Sequence, residues 1–387
     1  MSSDQSGQFA VSKLPRIAAV ALVAATFPLI WVGGLVTTYD AGMAVPDWPS
    51  TYGYNLFLYP WQTWITGPFD LFIEHGHRLL GAFVGFIAIL LAVSVWFCDG
   101  RAWMRVVSCF ALMAVIGQGL LGGLRVILDD RQLAMIHGCV GPAFFGLTAA
   151  MLAFTSREWR TANRETGSVG PSVQRLAILT ATFSYFQLVL GAAIRHLPVD
   201  ATPAYFRGVF VFHAMMAAVL AVHAVLLTKA AWVLPQLRRR VLAVSLLIAG
   251  QVLLGVGTWM VKYGWPTWLG QWDFAAGFLV QTKSLWQGLV TTSHVANGSL
   301  ILALSVSVVA WSLRLLPFKA VESSRTAIRS EVAVKRRLAQ VWAKLLVARG
   351  WCFDPLRVPV FRLFSTIPSV LWRRLSPPKS RKFVWGR

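Results

Sequence analysis

The chain has 387 residues, 56% of them hydrophobic and only 13% charged, with a mean hydropathy of +0.61. A soluble globular protein of this size is excluded, because the apolar residues fall in runs long enough to cross a bilayer. The formal net charge is +21; residues 314–387 hold 17 Lys/Arg against 3 Asp/Glu, so +14 of it lies in the tail. That concentration points to an anionic lipid surface and away from nucleic acid.

Residues 1–16 are polar and end with Lys13 and Arg16, and residues 17–38 form a first, uncleaved span entered from the cytoplasmic side. Residues 39–72 are rich in Trp, Tyr, Pro and Asp and contain no Lys or Arg, so the positive-inside rule puts them outside. Spans are expected at about 75–98, 106–126 and 133–155. The stretch 156–175 carries Arg157, Arg160, Arg164 and Arg175 and reads as a cytoplasmic linker between two halves. Spans then follow at about 176–195, 209–230, 241–261 and 287–312. The fold expected is therefore an all-α polytopic membrane protein. Its eight transmembrane helices form two pseudo-symmetric four-helix bundles, 17–155 and 176–312, with both ends in the cytoplasm. In the tail, 313–387, Ile328, Val332, Leu338, Val341, Trp342, Leu345 and Leu346 recur at near-helical spacing among basic residues. Such a segment reads either as an amphipathic helix on the inner leaflet or as a partly disordered basic tail. Cys98, Cys109, Cys139 and Cys352 show no metal or disulfide spacing.

The odd-numbered spans end alike. Trp31-Val32-Gly33-Gly34-Leu35-Val36 matches Leu120-Leu121-Gly122-Gly123-Leu124-Arg125, and Gln118, Gln187 and Gln251 each precede a glycine by four residues (Gly122, Gly191, Gly255). Small residues there let a helix or a flat ligand approach the backbone, and glutamine at that depth can bond across helices. Each even-numbered span carries a histidine near its outer end with a small residue four positions on: His77 with Gly81, His137 with Gly141, His213 with Ala217, His294 with Gly298. The gap beneath each imidazole suits the face of a porphyrin, so His77 with His137 and His213 with His294 can each hold a haem iron. The alternative is four packing residues bonded within the bundle. His75, His196 and His223 lack the pattern and read as packing residues. Glu74 lies one turn from His77, where a carboxylate can relay protons; taken alone it reads rather as an ion-pair partner of Arg78. Arg78, Arg125, Arg195 and Arg207 are placed to meet haem propionates or lipid headgroups.

Glu74-His75-Gly76-His77-Arg78-Leu79-Leu80-Gly81, with Pro46-Asp47-Trp48-Pro49, Ile136-His137-Gly138, Phe212-His213 and Ser293-His294-Val295-Ala296-Asn297-Gly298, resembles the haem A synthase family over about residues 17–312. The resemblance implies an inner-membrane (plasma-membrane) oxidoreductase that converts haem O to haem A for cytochrome oxidase, oxidising a porphyrin methyl to a formyl group. It implies haem b held by His213 and His294, and substrate haem O held by His77 and His137. Glu74 would be the catalytic carboxylate, with Arg78 at a propionate. Implied partners are the farnesyltransferase that makes haem O and an electron donor the sequence does not identify; self-association is left open. The competing classes are a di-haem b-type electron carrier with no chemistry on the haem, and a transporter with histidine-lined sites. In one respect the chain departs from the family: many bacterial members have cysteines in the first outer loop, where Val45 and Ser50-Thr51-Tyr52 stand here, and 196–208 also lacks cysteine. A thiol role for these loops is excluded.

Overall fold

A computed structural model describes residues 12–164, 170–266 and 278–316. Among them run ten helices: α1 (Leu14–Thr38), α2 (Trp61–Thr66), α3 (Phe69–Cys98), α4 (Ala102–Ile127), α5 (Arg131–Phe154), α6 (Arg157–Thr161), α7 (Gly170–Arg195), α8 (Pro203–Ala231), α9 (Pro235–Tyr263) and α10 (Leu285–Leu315). Eight are long and apolar enough to cross a membrane, and the protein is multi-pass. No strand occurs among the described residues. The expected tail helix lies outside them.

All eight long helices start before their apolar runs, whereas α1, α3 and α7 end where expected; at the early end, backbone hydrogen bonding extends the helix back to its cap. Asp130 accepts from the Leu133 N–H at 2.8 Å, Thr202 from Tyr205 at 3.2 Å and Ser284 from Gln287 at 3.2 Å. Proline stands at the first turn of α1, α8 and α9, where its missing N–H costs nothing. Helices α3, α7, α8 and α9 each start six residues before expected, α3 at Phe69 against 75. Glu74 therefore sits inside the helix, 1% exposed, and not at its mouth. The short helices α2 and α6 fall in stretches read as loop and linker; Ser156 caps α6 through the Trp159 N–H at 3.1 Å.

Within 14–154, α1 packs on α3, α3 on α4, α4 on α5 and α5 on α1; within 170–315, α7, α8, α9 and α10 close a second ring in the same manner. Helices α1 and α5 of the first ring pack against α10 of the second. Each ring has its own apolar core, Leu22, Leu91, Met104 and Met151 in one and Leu227, Leu237, Val241 and Trp311 in the other. Both cores lie towards the end where α1 begins. Towards the opposite end, glycines of α1, α4, α7 and α9 lie against the patterned histidines.

The end where α1 begins is strongly basic. Asp99, 2% exposed, bonds Arg101 at 2.7 Å and Arg160 at 2.7 Å. Burial pushes its carboxyl upward, but the Arg101 hydrogen bonds and both positive charges outweigh that and hold it below the ordinary 3.8. Arg314 donates to the carbonyls of Trp159 at 2.9 Å and Arg160 at 3.2 Å, tying the end of α10 to α6.

Candidate functional site

The four patterned histidines lie six to ten residues into their helices, about 9–15 Å from the helix start at 1.5 Å per residue. They meet in pairs. His77 on α3 faces His137 on α5 with ring centres 6.3 Å apart, and His213 on α8 faces His294 on α10 at 6.3 Å. A nitrogen bound to a metal stands about 2 Å from it and the ring centre about 1 Å further, so two imidazoles gripping one iron have centres about 6 Å apart. The observed spacing fits that requirement in both pairs.

Each imidazole is seated by a glycine on the preceding helix. A Cβ at Gly33 or Gly122 would stand 2.8 Å from the Cε1 of His77 or His137; at Gly191 it would be 3.1 Å from His213 and at Gly255 3.2 Å from His294. With no side chain there, each ring reaches the backbone of that helix, against the carbonyl of Leu29, Gln118, Gln187 or Gln251, in each case four residues before the glycine. None of the four Nδ1 atoms makes a full hydrogen bond among the described residues, and all four are buried. The Cε1–Nδ1 edge of each ring is the one that faces the glycine, and a histidine whose Nδ1 is turned to the protein presents Nε2 to a metal. The second glycine of each Gly-Gly pair serves another contact: Gly34 lies against Thr292 and Gly123 against the indole of Trp48.

The gap four residues beyond each histidine is used differently from the expectation. Gly141 and Gly298 each lie 3.2 Å, measured from a built Cβ, from the amide nitrogen of Gln118 and Gln251. Those amides donate to the backbone carbonyls of His137 at 2.8 Å and His294 at 2.9 Å. The space is filled because a buried amide must find an acceptor. Gly81 has nothing within 4 Å and keeps its gap. Gln187 instead contacts the Nε2 of His213 at 3.2 Å.

Glu74 stands above the first pair in a polar cage. Its Oε2 accepts from the Val45 N–H at 3.0 Å, its Oε1 from Arg78 at 3.0 Å, and Arg125 lies 3.8 Å away. Arg125 also sits close enough to His77 and His137 for its charge to act on both. Arg78 spends four N–H donors on the loop and Glu74: the carbonyls of Asp47 at 2.6 Å, Ser50 at 2.8 Å and Val45 at 2.7 Å, and the carboxylate. Its guanidinium is thus a clamp on residues 45–50. Arg195, from α7, reaches α1 at the Gly34 carbonyl (2.6 Å) and the Thr38 hydroxyl (2.7 Å), and its charge reaches His294; its Nη1 is buried with no partner among the described residues. Arg207 is exposed.

His75 points away from the pair, as its two-residue offset requires, and bonds the Thr51 hydroxyl at 2.9 Å between Tyr59 and Trp64. His223 packs edge-on to Phe183 at 4.8 Å. His196, just past α7, is held down to about 4 by burial and by Arg195, Arg125 and Arg131, so it is neutral at pH 7. The loop over Glu74 is fastened at Val45 and Thr51, two of the places where cysteine is absent. Asp47 organises its turn, accepting from Tyr52 N–H at 2.8 Å, Gly53 N–H at 2.8 Å and the Ser50 hydroxyl at 2.5 Å. Burial raises the Asp47 carboxyl, and these hydrogen bonds more than offset it, leaving it below 3.8. The loop contacts of Thr51 and Val45 carry no periodic signal and were not legible from sequence.

A family model described as cytochrome oxidase assembly protein matches residues 16–272. The chain belongs to that family. Two curated relatives are similar over shorter stretches. The heme A synthase of Shouchella clausii (strain KSM-K16) is 26% identical over 170 residues, 42% of this chain and 53% of the relative. The heme A synthase of Methylobacterium radiotolerans is 28% identical over 130 residues, 31% of this chain and 34% of the relative. The chain thus spans about half the length of the first and a third of the second. The family match takes in Glu74, His77, Arg78, His137 and His213 and stops before α10. His294 therefore rests on its geometry opposite His213.

Proposed function

We propose that this membrane protein is a haem A synthase, oxidising a methyl group of haem O to a formyl group. The observation that carries the reading is the twin imidazole pairs at 6.3 Å, each seated on a helix glycine, with a buried carboxylate one turn from the histidine in only the first pair among the described residues. That asymmetry favours two roles over a di-haem carrier with equivalent sites. His213 and His294 hold haem b, and His77 and His137 hold the substrate haem O. Bound haem supplies the iron-centred redox chemistry that abstraction from an unactivated methyl demands.

The chain's own groups do the rest. His77 and His137 would hold the substrate haem. The Glu74 carboxylate, kept in place by the Val45 N–H and Arg78, would accept the proton. Arg125 and Arg195, each near one histidine pair, answer the propionates. The clamp of Arg78 on residues 45–50 covers this end and limits water entry. The end bearing the histidines faces outward from the plasma membrane, and the basic end, with both termini, faces the cytoplasm. A farnesyltransferase supplies haem O; taking CH3 to CHO gains one oxygen atom from water and releases four protons and four electrons, which a separate redox partner carries away.

The test is Glu74→Gln in cells supplied with haem O, followed by pigment extraction and mass analysis. The amide keeps an acceptor for Val45 but cannot take a proton. Haem content equal to wild type with conversion lower by about 10²–10⁴ supports the role. Unchanged conversion removes Glu74 from the chemistry, and protein without any haem removes the reading as a whole.

A further inference from the structure

At the basic end, away from the histidines, a cleft of about 1140 Å³ opens between the segment after α6 and the start of α9, floored by α10. Its walls carry Arg164, Arg238, Arg239 and Arg240 against one acid, Glu158, which makes four positive charges and one negative, or +3. Several other arginines at this end are paired. Arg101 and Arg160 share Asp99, Arg314 takes two carbonyls, and Arg16 bonds the Leu152 carbonyl. The guanidinium groups of Arg164, Arg238 and Arg239 have no carboxylate or carbonyl partner among the described residues. Arg238 lies only over Trp232, at 5.5 Å.

Helix stability does not explain the cluster. Arg238, Arg239 and Arg240 occupy the first turns of α9, where positive side chains oppose the helix dipole, and no acidic residue stands in that first turn. The floor is apolar: Leu304 and Trp311 lie two turns apart on one face of the spanning helix α10, and Arg240 stacks over Trp311 at 4.2 Å. An occupant that satisfies both walls carries an anion at one end and hydrocarbon at the other. A planar guanidinium fork selects phosphate oxygens among anions.

We propose that this cleft binds the phosphate headgroup of an anionic membrane lipid, its acyl chains lying along Leu304 and Trp311. Such a lipid bridges the linker between the two helix rings to α9 and α10. The site is separate from the haem chemistry and stands or falls without it.

Native mass spectrometry of the full-length protein, stripped of lipid in neutral detergent, tests this with phosphatidylglycerol, phosphatidylcholine and inorganic phosphate as probes. Wild type retains phosphatidylglycerol in preference to phosphatidylcholine and gains thermal stability from it, and inorganic phosphate gives no comparable gain. Replacing Arg238, Arg239 and Arg240 by Gln is expected to weaken retention on the order of a hundredfold, at about a factor of five per arginine. Replacing the same three by Lys keeps the charge but not the forks, so retention falls between wild type and the Gln variant, which shows that loss in the Gln variant is not misfolding. A second triple variant, Lys335→Gln, Arg336→Gln and Arg337→Gln in the tail, removes equal charge and leaves the preference intact. Equal loss in the tail variant, an unaffected Gln variant, equal retention of phosphatidylcholine, or an equal gain from inorganic phosphate each overturns the proposal.

Discussion

Adding one methyl group to each of the four glycine seats tests the haem-site geometry more sharply than removing a ligand. Carbon atoms rest about 3.5–4.0 Å apart. In Gly33→Ala and Gly122→Ala the new Cβ stands 2.8 Å from the imidazole Cε1, so the ring has to withdraw by about 0.7 Å or more. Metal–ligand lengths tolerate about 0.2 Å, so neither His77 nor His137 keeps its place. In Gly191→Ala and Gly255→Ala the separations are 3.1 and 3.2 Å, a shortfall of about 0.3–0.4 Å that small adjustments absorb. Overpacking of this kind costs about 1–3 kcal/mol, so the first two variants should bind haem on the order of a hundredfold more weakly and the second two about fivefold. Alanine's helix preference over glycine, about 1 kcal/mol, offsets part of this cost, so the melting temperature of haem-free protein should change little in Gly191→Ala and Gly255→Ala and fall modestly in Gly33→Ala and Gly122→Ala. Titration of haem into each purified variant, followed by Soret absorbance alongside circular dichroism melts, gives both numbers. Wild-type haem affinity in Gly122→Ala, or a larger loss in Gly191→Ala than in Gly122→Ala, refutes the reasoning.

Other expectations follow from the polar networks. Arg78→Gln removes most of four hydrogen bonds from residues 45–50 and Glu74, and should cost about 3 kcal/mol and open that loop to limited proteolysis; intact resistance would show that the clamp is dispensable. Thr51→Val leaves His75 without its buried partner and should cost about 1–3 kcal/mol in thermal melts, with haem content unchanged. Asp99→Asn leaves two arginines facing each other and should destabilise by about 2–4 kcal/mol, discounted from a fully buried pair because both arginines are partly exposed. Since the folded Asp99 carboxyl titrates below 3.8, the unfolded chain binds more protons near that pH. The Asp99 contribution is therefore full above about 3.8 and disappears only as acidification passes the lower folded value; a melting series from pH 7 to pH 3 should show wild type and Asp99→Asn converging only at the acid end.

The sequence disclosed the spans, the histidine register and the glycine–glutamine repeat because each is periodic along a helix. Gln118 and Gln251 do bond across helices, as their depth suggested, but they fill the gaps at Gly141 and Gly298 that looked free for a ligand. Periodicity tells which face a residue occupies and not which neighbour arrives there first. The start of α3 was read six residues late because Phe69–Glu74 mixes aromatic and acidic residues ahead of the apolar run. Contacts made by loop backbone were invisible for a different reason. The carbonyls of Val45, Asp47 and Ser50 that hold Arg78, and the Val45 N–H on Glu74, belong to no side-chain pattern. The 6.3 Å pairing of imidazoles from α3 with α5 and from α8 with α10 likewise needed the packing of the helices to become visible.

The central claim, that each histidine pair grips one iron, is tested most directly by electron paramagnetic resonance of the ferric protein purified after expression with a haem supply. Low-spin signals of bis-imidazole ligation are expected. His213→Ala and His294→Ala should each remove the same component, and His77→Ala and His137→Ala should each remove the other. A protein with no haem signal, or one whose signals survive replacement of all four histidines, would contradict it.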